Sequence, residues 1–399
     1  MIKPGPDRRS PKVQNNISKS LLTLSLVAFL LQAGPGQQAG GGGAANPGGA
    51  GATPTGDLVI LGDGAYPRAN HAEKVEKLKS VNFENTSNYS FELAGQTSVN
   101  LKGKALTEGQ TSGTFVTRNE AANANVEIAY FNLARILGVD NLFRATVPYK
   151  LGPHGCATFK AEIGNPDSLP GAMKRKNARN ILAMINSNPN ELKGCLREKK
   201  NGETVAINSL ASTANNRPST HALLQDLQAS AAKPADGRYT FSEGYWGPKA
   251  KLAQQYSIMM TFDTVFGQWD RYSGSNIVFR IVDENTKEIE VYSSDNGGAD
   301  FWNTTSWAQK QASWFGKYDR KVIEGLRSIY AFLKGQSSSL RAERLGKTYT
   351  NVDEFIVDLG LYYEKRPSQY AAELAANIKV LLTAVEANKA RYGEDRVFF

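Results

Sequence analysis

Asp270-Arg-Tyr-Ser-Gly-Ser-Asn276 and Asp295-Asn-Gly-Gly298 carry the residues of this chain best suited to chemistry. They supply two carboxylates and an amide on either side of a segment patterned as a hairpin. Hard oxygen donors of this kind favour magnesium or manganese over zinc. With Asn276 and Asp295 on a divalent metal that carries phosphates, Asp270 is left to orient or deprotonate a hydroxyl nucleophile. Phosphoryl transfer asks little covalent work of a protein; it asks for positioning and charge neutralisation. It therefore also needs a cation on the phosphates and an acid to hold that cation. Lys102 and Glu127 offer that pair, giving the chain order Lys, Glu, Asp, Asn, Asp.

Each residue has a plainer role to compete with. Loop aspartates such as Asp270 cap turns, and Asp-Asn-Gly-Gly is itself a turn sequence. Asp300 is a rival metal ligand, Lys104 shares the strand face of Lys102, and acids such as Glu127 are favoured near helix N-termini for electrostatic reasons alone. Three scattered histidines and two cysteines give no zinc spacing.

The elements that must position these groups follow from periodicity. Tyr89–Leu93 and Thr97–Lys102 alternate as strands about a break at Ala94-Gly-Gln96, with Val99 and Leu101 on one face and Asn100, Lys102 and Lys104 on the other. Thr114–Thr117 adds a short extended piece. A helix is predicted from Asn123 to Leu137, with an asparagine N-cap at Asn123 or Asn125 and Gly138 as its C-terminal cap. Thr146–Lys150 and Ala157–Ile163 read as two further strands. Helices are predicted over Ala172–Ile185, Ala250–Phe266, Lys317–Leu333, Val352–Tyr363 and Ser368–Tyr392, and strands over Ile277–Val282 and Glu288–Ser293. The last helix places Tyr370, Leu374, Ile378, Leu381 and Val385 on one stripe. The fold expected is α+β and bilobal: a small strand-rich lobe over residues 57–164 and a mainly helical lobe over 165–399, with an irregular insertion near 165–248.

Length and charge bound the rest. The 399 residues are 41% hydrophobic and 21% charged, a globular composition. About half of the +9 net charge lies in residues 1–33, so the body lacks the dense basic stripe of a nucleic-acid binder. Those first residues run from a basic region ending at Lys19 into the apolar Leu21–Leu31, too short to span a bilayer and suited to the core of a secretory signal. Residues 34–56 are a Gly-rich tether. Export, with no stable membrane span after signal cleavage, is the expectation. Cys156 and Cys195 then either pair or stay as two buried thiols.

Phe266-Gly-Gln-Trp-Asp270-Arg-Tyr with Asp295-Asn-Gly-Gly resembles the catalytic loop and metal motif of atypical protein-kinase-like enzymes: the secretory-pathway Golgi casein kinases, the type II phosphatidylinositol 4-kinases and the HipA kinases. Asn125-Val-Glu127 through Leu137-Gly138 is similar to the helix that supplies the Glu of the Lys–Glu pair in the secretory kinases. The resemblance implies a protein-kinase-like fold, ATP with Mg²⁺ or Mn²⁺ as cofactors, and an acceptor hydroxyl on a protein, sugar or lipid head group. It implies Asp270 as catalytic residue, Lys102 on the phosphates, Glu127 holding Lys102, and Asn276 and Asp295 on the metal. Two departures stand out. In most relatives the metal-binding amide or acid lies five residues after the Asp, where this chain has Ser275 and reaches Asn276 one residue later. The phosphate-covering loop has two candidates, Gly62-Asp-Gly64 and Gly109–Gly113. The alternatives are a non-catalytic pseudokinase serving as a nucleotide- or protein-binding module and, more distantly, a metal-dependent hydrolase.

Overall fold

Alternating side chains at Tyr89–Ala94 (β2) and Asn100–Ala105 (β3) form an antiparallel hairpin closed by Gly95 at φ +95°. A computed structural model of the chain describes residues 58–60, 71–107, 111–119, 123–199, 204–205, 238–240, 244, 246–271, 276–299, 304–362 and 364–399. The expected signal and tether, Asp300, Ser275, Gly62-Asp-Gly64 and Gly109 lie outside those residues. A short strand β1 (Leu58–Ile60) precedes helix α1 (His71–Ser80) and the hairpin. Strand β4 (Thr111–Val116) pairs with β3, then helix α2 (Ala124–Leu137), β5 (Thr146–Leu151) and β6 (Leu192–Arg197) follow. The order β2-β3-β4-β6-β5 makes one five-stranded antiparallel sheet.

That sheet draws its fourth strand from residues 192–197, well past the boundary expected at 164. The intervening segment is two helices, α3 (Pro153–Ile163) and α4 (Ala172–Ser187). For α3 this is a correction, since Ala157–Ile163 reads as a strand. The residues fit both periods, and buried Cys156, Phe159 and Ile163 fall at helical spacing. A distant acid decides it. Glu84 accepts from the backbone N–H groups of Gly152 (2.8 Å), Gly155 (2.9 Å) and His154 (3.0 Å), satisfying the orphan donors of the first turn.

Helix α2 forms as its caps predict. The Asn123 side chain accepts from the N–H groups of Asn125 and Val126, and Gly138 ends the helix in the left-handed region. All of its residues except Asn132 and Arg135 are buried, the signature of a helix covered on every side. One face packs on β5 and β6, the other on helix α8 described below.

The remaining chain is mainly helical. A second sheet takes β7 (Thr204–Val205), β8 (Arg238–Thr240), β9 (Trp246–Pro248), β10 (Ile277–Asp283) and β11 (Glu288–Ser293) in the order β7-β10-β11-β9-β8. Between β9 and β10 runs α5 (Lys249–Phe266), buried from Ser257 through Phe266 without interruption. Helices α6 (Thr304–Ala312), α7 (Arg320–Leu333), α8 (Val352–Leu359), α9 (Pro367–Tyr392) and α10 (Glu394–Val397) complete the chain. Strands β12 (Leu340–Ala342) and β13 (Lys347–Tyr349) join β1 in a third small sheet. The predicted stripe of α9 is buried as expected, while α8 stops short of Tyr363 because Gly360, at φ +97°, terminates it. Among the described residues no helix is long and apolar enough to cross a membrane.

Candidate active site

The site is built on a buried ion pair. Asp263, wholly enclosed in apolar α5, accepts from Arg271 Nε and Nη2, both at 2.8 Å, and from the Tyr130 hydroxyl of α2 at 3.0 Å. Burial opposes the Arg271 charge, but the Asp263 carboxylate outweighs it and the arginine pKa is raised. The same guanidinium donates to the backbone carbonyls of Asn276 (3.0 Å) and Ser294 (2.8 Å) and to Asn296 Oδ1 (2.9 Å). Arg271 thus ties α5, the loop after it and the turn after β11 to one point. The Asp-Arg dipeptide divides its labour: Arg271 faces inward as the fastener, and Asp270 is held above it.

Asp270 is fixed by its neighbours. Its backbone N–H donates to Gln268 Oε1 at 3.0 Å, and the Asn276 amide donates to its carbonyl at 2.7 Å and to Oδ2 at 3.4 Å. Gln268 also donates from Nε2 to the Asp295 carbonyl at 3.2 Å, so one side chain joins the two halves of the motif. Gln268 is itself anchored, its carbonyl accepting from Trp307 Nε1 (3.0 Å) and Gln311 Nε2 (2.6 Å). Asp270, Asn276 and Asp295, singled out from sequence, are therefore brought together. Arg271, Gln268 and Asp263 were missed. The readable signal for Asp263 is a charged residue inside an otherwise apolar helix.

The glycines of Asp295-Asn-Gly-Gly are there for close approach. A Cβ on Gly297 would sit 3.2 Å from both the Asn123 backbone nitrogen and Glu127 Cγ; on Gly298 it would sit 2.6 Å from Gln268 Oε1 and 2.8 Å from Asp270 Cβ. The Asn123 N–H donates to the Gly297 carbonyl at 2.9 Å, docking the start of α2 on this turn. Asp295 adopts φ +53°, a strained conformation for a non-glycine residue. Its side chain remains 43% exposed while its backbone is pinned, and its carboxylate meets Arg197 through Oδ1.

The expected pairing of Lys102 with Glu127 is not formed. Lys102 Nζ donates to Glu92 Oε1 at 2.6 Å and Lys104 Nζ to Glu92 Oε2 at 2.8 Å. The reason is register: Glu92 lies directly opposite Lys102 on the neighbouring strand, where side chains share a face. The two lysine hydrogen bonds hold the Glu92 pKa down at about 2. Glu127, fully buried, takes a different cation. Arg197 Nη1, from the end of β6, donates to Glu127 Oε1 at 2.6 Å and to Asp295 Oδ1 at 3.2 Å. Burial works against the Arg197 charge, yet the Glu127 and Asp295 carboxylates prevail and raise its pKa. Glu127 Oε2 and Arg197 Nε are both buried with no hydrogen-bond partner among the described residues.

Cys156 and Cys195 are free and buried, which settles the choice left open between a bridge and two thiols. Burial pushes the Cys156 thiol up to about 11, far from a reactive thiolate.

The donor set suits a hard divalent cation in company with phosphates. Asn276 spends its amide N–H groups on Asp270, which leaves its carbonyl oxygen as the atom to present to a metal beside the Asp295 carboxylate. Among the described residues no cluster of three or more His, Cys, Asp and Glu forms a complete cage. A sparse set of protein oxygens completed by phosphates and water is the arrangement Mg²⁺ prefers.

No protein-family model matches the chain, and neither does any curated protein. Solved structures do. The chain is similar to a crystal structure of the Golgi casein kinase at 12% identity, over 84% of this chain and 78% of that one, with a TM-score of 0.52. A structure of the Golgi casein kinase with Mn/ADP bound matches at 10% identity, over 82% of this chain and 78% of that one, with a TM-score of 0.49. The structure of hydra Fam20 with sugar matches at 11% identity, over 78% and 89%, with a TM-score of 0.44. The chain therefore has the atypical kinase-like fold: a five-stranded antiparallel sheet followed by a mainly helical region.

Proposed function

We propose that this chain is an exported kinase-like phosphotransferase that moves the ATP γ-phosphate to a hydroxyl acceptor, with Mg²⁺ or Mn²⁺. The observation that carries the reading is the convergence of Asp270, Asn276 and Asp295 through Gln268 and Arg271. The fold shared with the Golgi casein kinase supports it, and the basic-then-apolar segment ending at Leu31 supports export. Asp270 is the residue to accept the acceptor's hydroxyl proton, with Asn276 keeping its carboxylate oriented. Asn276 and Asp295 would hold the divalent ion, which when bound neutralises phosphate charge. Pinning Asn276 and the two neighbours of Asp295 to one buried guanidinium keeps the constellation in place before substrate arrives, which is where most catalysis of this reaction comes from.

One observation favours a second reading, a non-catalytic nucleotide- or protein-binding module: Lys102 does not reach Glu127. Two measurements separate them. Saturating Mg·ATP should raise the thermal midpoint of the wild type by a few degrees, since ligand at 100 times its Kd adds about 2.7 kcal/mol, and Asp295→Ala should lose that shift. Phosphate transfer or ATP hydrolysis should vanish in Asp270→Ala while the nucleotide-induced shift persists. A wild type that Mg·ATP never stabilises sinks the phosphotransferase reading and leaves a protein-binding module; stabilisation with no turnover decides for a nucleotide-binding module.

A further inference from the structure

We infer that Arg197 is the cation that Glu127 holds for the nucleotide phosphates, in the role expected of Lys102; the inference rests on the phosphotransferase reading above. Three observations lead there. Glu127 is completely buried and Arg197 Nη1 sits 2.6 Å from it. Arg197 reaches Asp295 from the same nitrogen, so it touches both the helix acid and the turn that bears the metal-binding carboxylate. Both of those bonds use Nη1, and Nε is buried with no acceptor among the described residues. A guanidinium engaged along one side presents the rest of its planar fork to an oxyanion, the geometry that suits phosphate. Arg144 is also buried close by and its pKa is lowered to about 10, first by burial and then by the Arg197 charge. Arg144 spends Nε on the Glu198 carbonyl, and the Glu127 and Glu198 carboxylates act on it in the opposite sense, so a phosphate here would join a cluster of both signs.

Register explains why the role moves. Glu92, Lys102, Thr114 and Arg197 stand opposite one another across β2, β3, β4 and β6, in one row on one face of the sheet. At about 4.8 Å per strand, Lys102 lies two strands, or roughly 10 Å, from Arg197. It is also neutralised at the far end of the row by Glu92. The strand next to β3 offers Thr114 where a lysine would be nearer. Glu127 packs under β6, and the basic residue at the end of that strand is Arg197.

The experiment compares binding of Mg·ADP with binding of adenosine, which lacks phosphates, by calorimetry. The variants are Lys102→Ala, Arg197→Lys and the double Glu127→Gln/Arg197→Gln, which removes the buried pair without leaving a lone charge. Lys102→Ala should bind both ligands as the wild type does. Both Arg197 variants should lose ~10-fold or more in ADP affinity, about what one charge-assisted hydrogen bond provides, and keep adenosine affinity within ~3-fold. A purely structural role would weaken both ligands alike. Arg197→Lys, which keeps a charge for Glu127, carries the test if the double variant does not fold. The assignment is overturned if the Arg197 variants bind ADP as the wild type does, if ADP and adenosine weaken together, or if Lys102→Ala takes the phosphate-specific loss. A wild type that binds neither ligand overturns the phosphotransferase reading itself, a separate result.

Discussion

At the scale of single residues, the site depends on one buried charge satisfying another. Asp263 lies among Tyr130, Phe262 and Phe266, with the Tyr130 and Phe266 rings stacked at 4.5 Å, and among the described residues Arg271 and the Tyr130 hydroxyl compensate its charge. Asp263→Ala should therefore destabilise the chain by about 3–5 kcal/mol, the cost of leaving a buried guanidinium unpaired, read as a fall in the urea midpoint. It should also abolish activity in whatever fraction stays folded, because Arg271 would no longer register Asn276 against Ser294 and Asn296. A shift below 1 kcal/mol would mean that water reaches the pair. In the sequence Asp263 shows only as a charge within an apolar stretch of helix, with nothing to name its partners. Asp270, Asn276 and Asp295 are legible because each is chemically conspicuous and one hairpin joins them. Arg271 stands in the same motif, but its role depends on acceptors from three separated segments that only folding assembles. Lys102 misleads for the converse reason: it is conspicuous by type, yet its partner is set by cross-strand register, which places Glu92 opposite it.

Among elements, the decisive contact is α2 against the turn after β11. That turn is threaded between α2 on one side and the Gln268–Asp270 segment on the other, and its two glycines are the clearance. Gly298→Ala should cost about 1–3 kcal/mol as an overpacked site. Activity should fall further than stability explains, because the methyl group would displace Asp270 and the Gln268 amide. The check is kcat and thermal midpoint measured on the same preparation; a variant of normal activity would show that Asp270 tolerates movement. Helix α2 and α9 were readable from caps and stripes, which are local signals. The caps of α3 were not, since the acid that satisfies its first turn is Glu84, some seventy residues upstream in chain order. Periodicity alone could not choose between strand and helix there, and a long-range hydrogen-bond acceptor did.

For the whole molecule, the two halves are expected to unfold together. One hydrophobic cluster runs from Val75 in α1 to Phe398 at the C-terminus. The Asp263–Arg271–Tyr130 network and the Arg197–Glu127–Asp295 network each join the first sheet's helix or strand to the helical half. Gly360 seats the end of α8 on Ile128 of α2, with Asn132 Nδ2 donating to the Asp358 carbonyl at 2.9 Å. Composition supplies a probe of this coupling: the five tryptophans, at positions 246, 269, 302, 307 and 314, all fall in the second half of the chain. Tryptophan fluorescence therefore reports that half, whereas far-ultraviolet circular dichroism reports the entire chain. A two-state protein gives coincident transitions by both probes, and that coincidence is the expected result in urea. A dichroism loss that precedes the fluorescence change would show the five-stranded sheet melting alone, with α2 losing its grip on the Asp295 turn before the helical core yields. Arg197→Lys provides the internal control. If the networks do couple the halves, weakening this one should move both transitions down together rather than separate them.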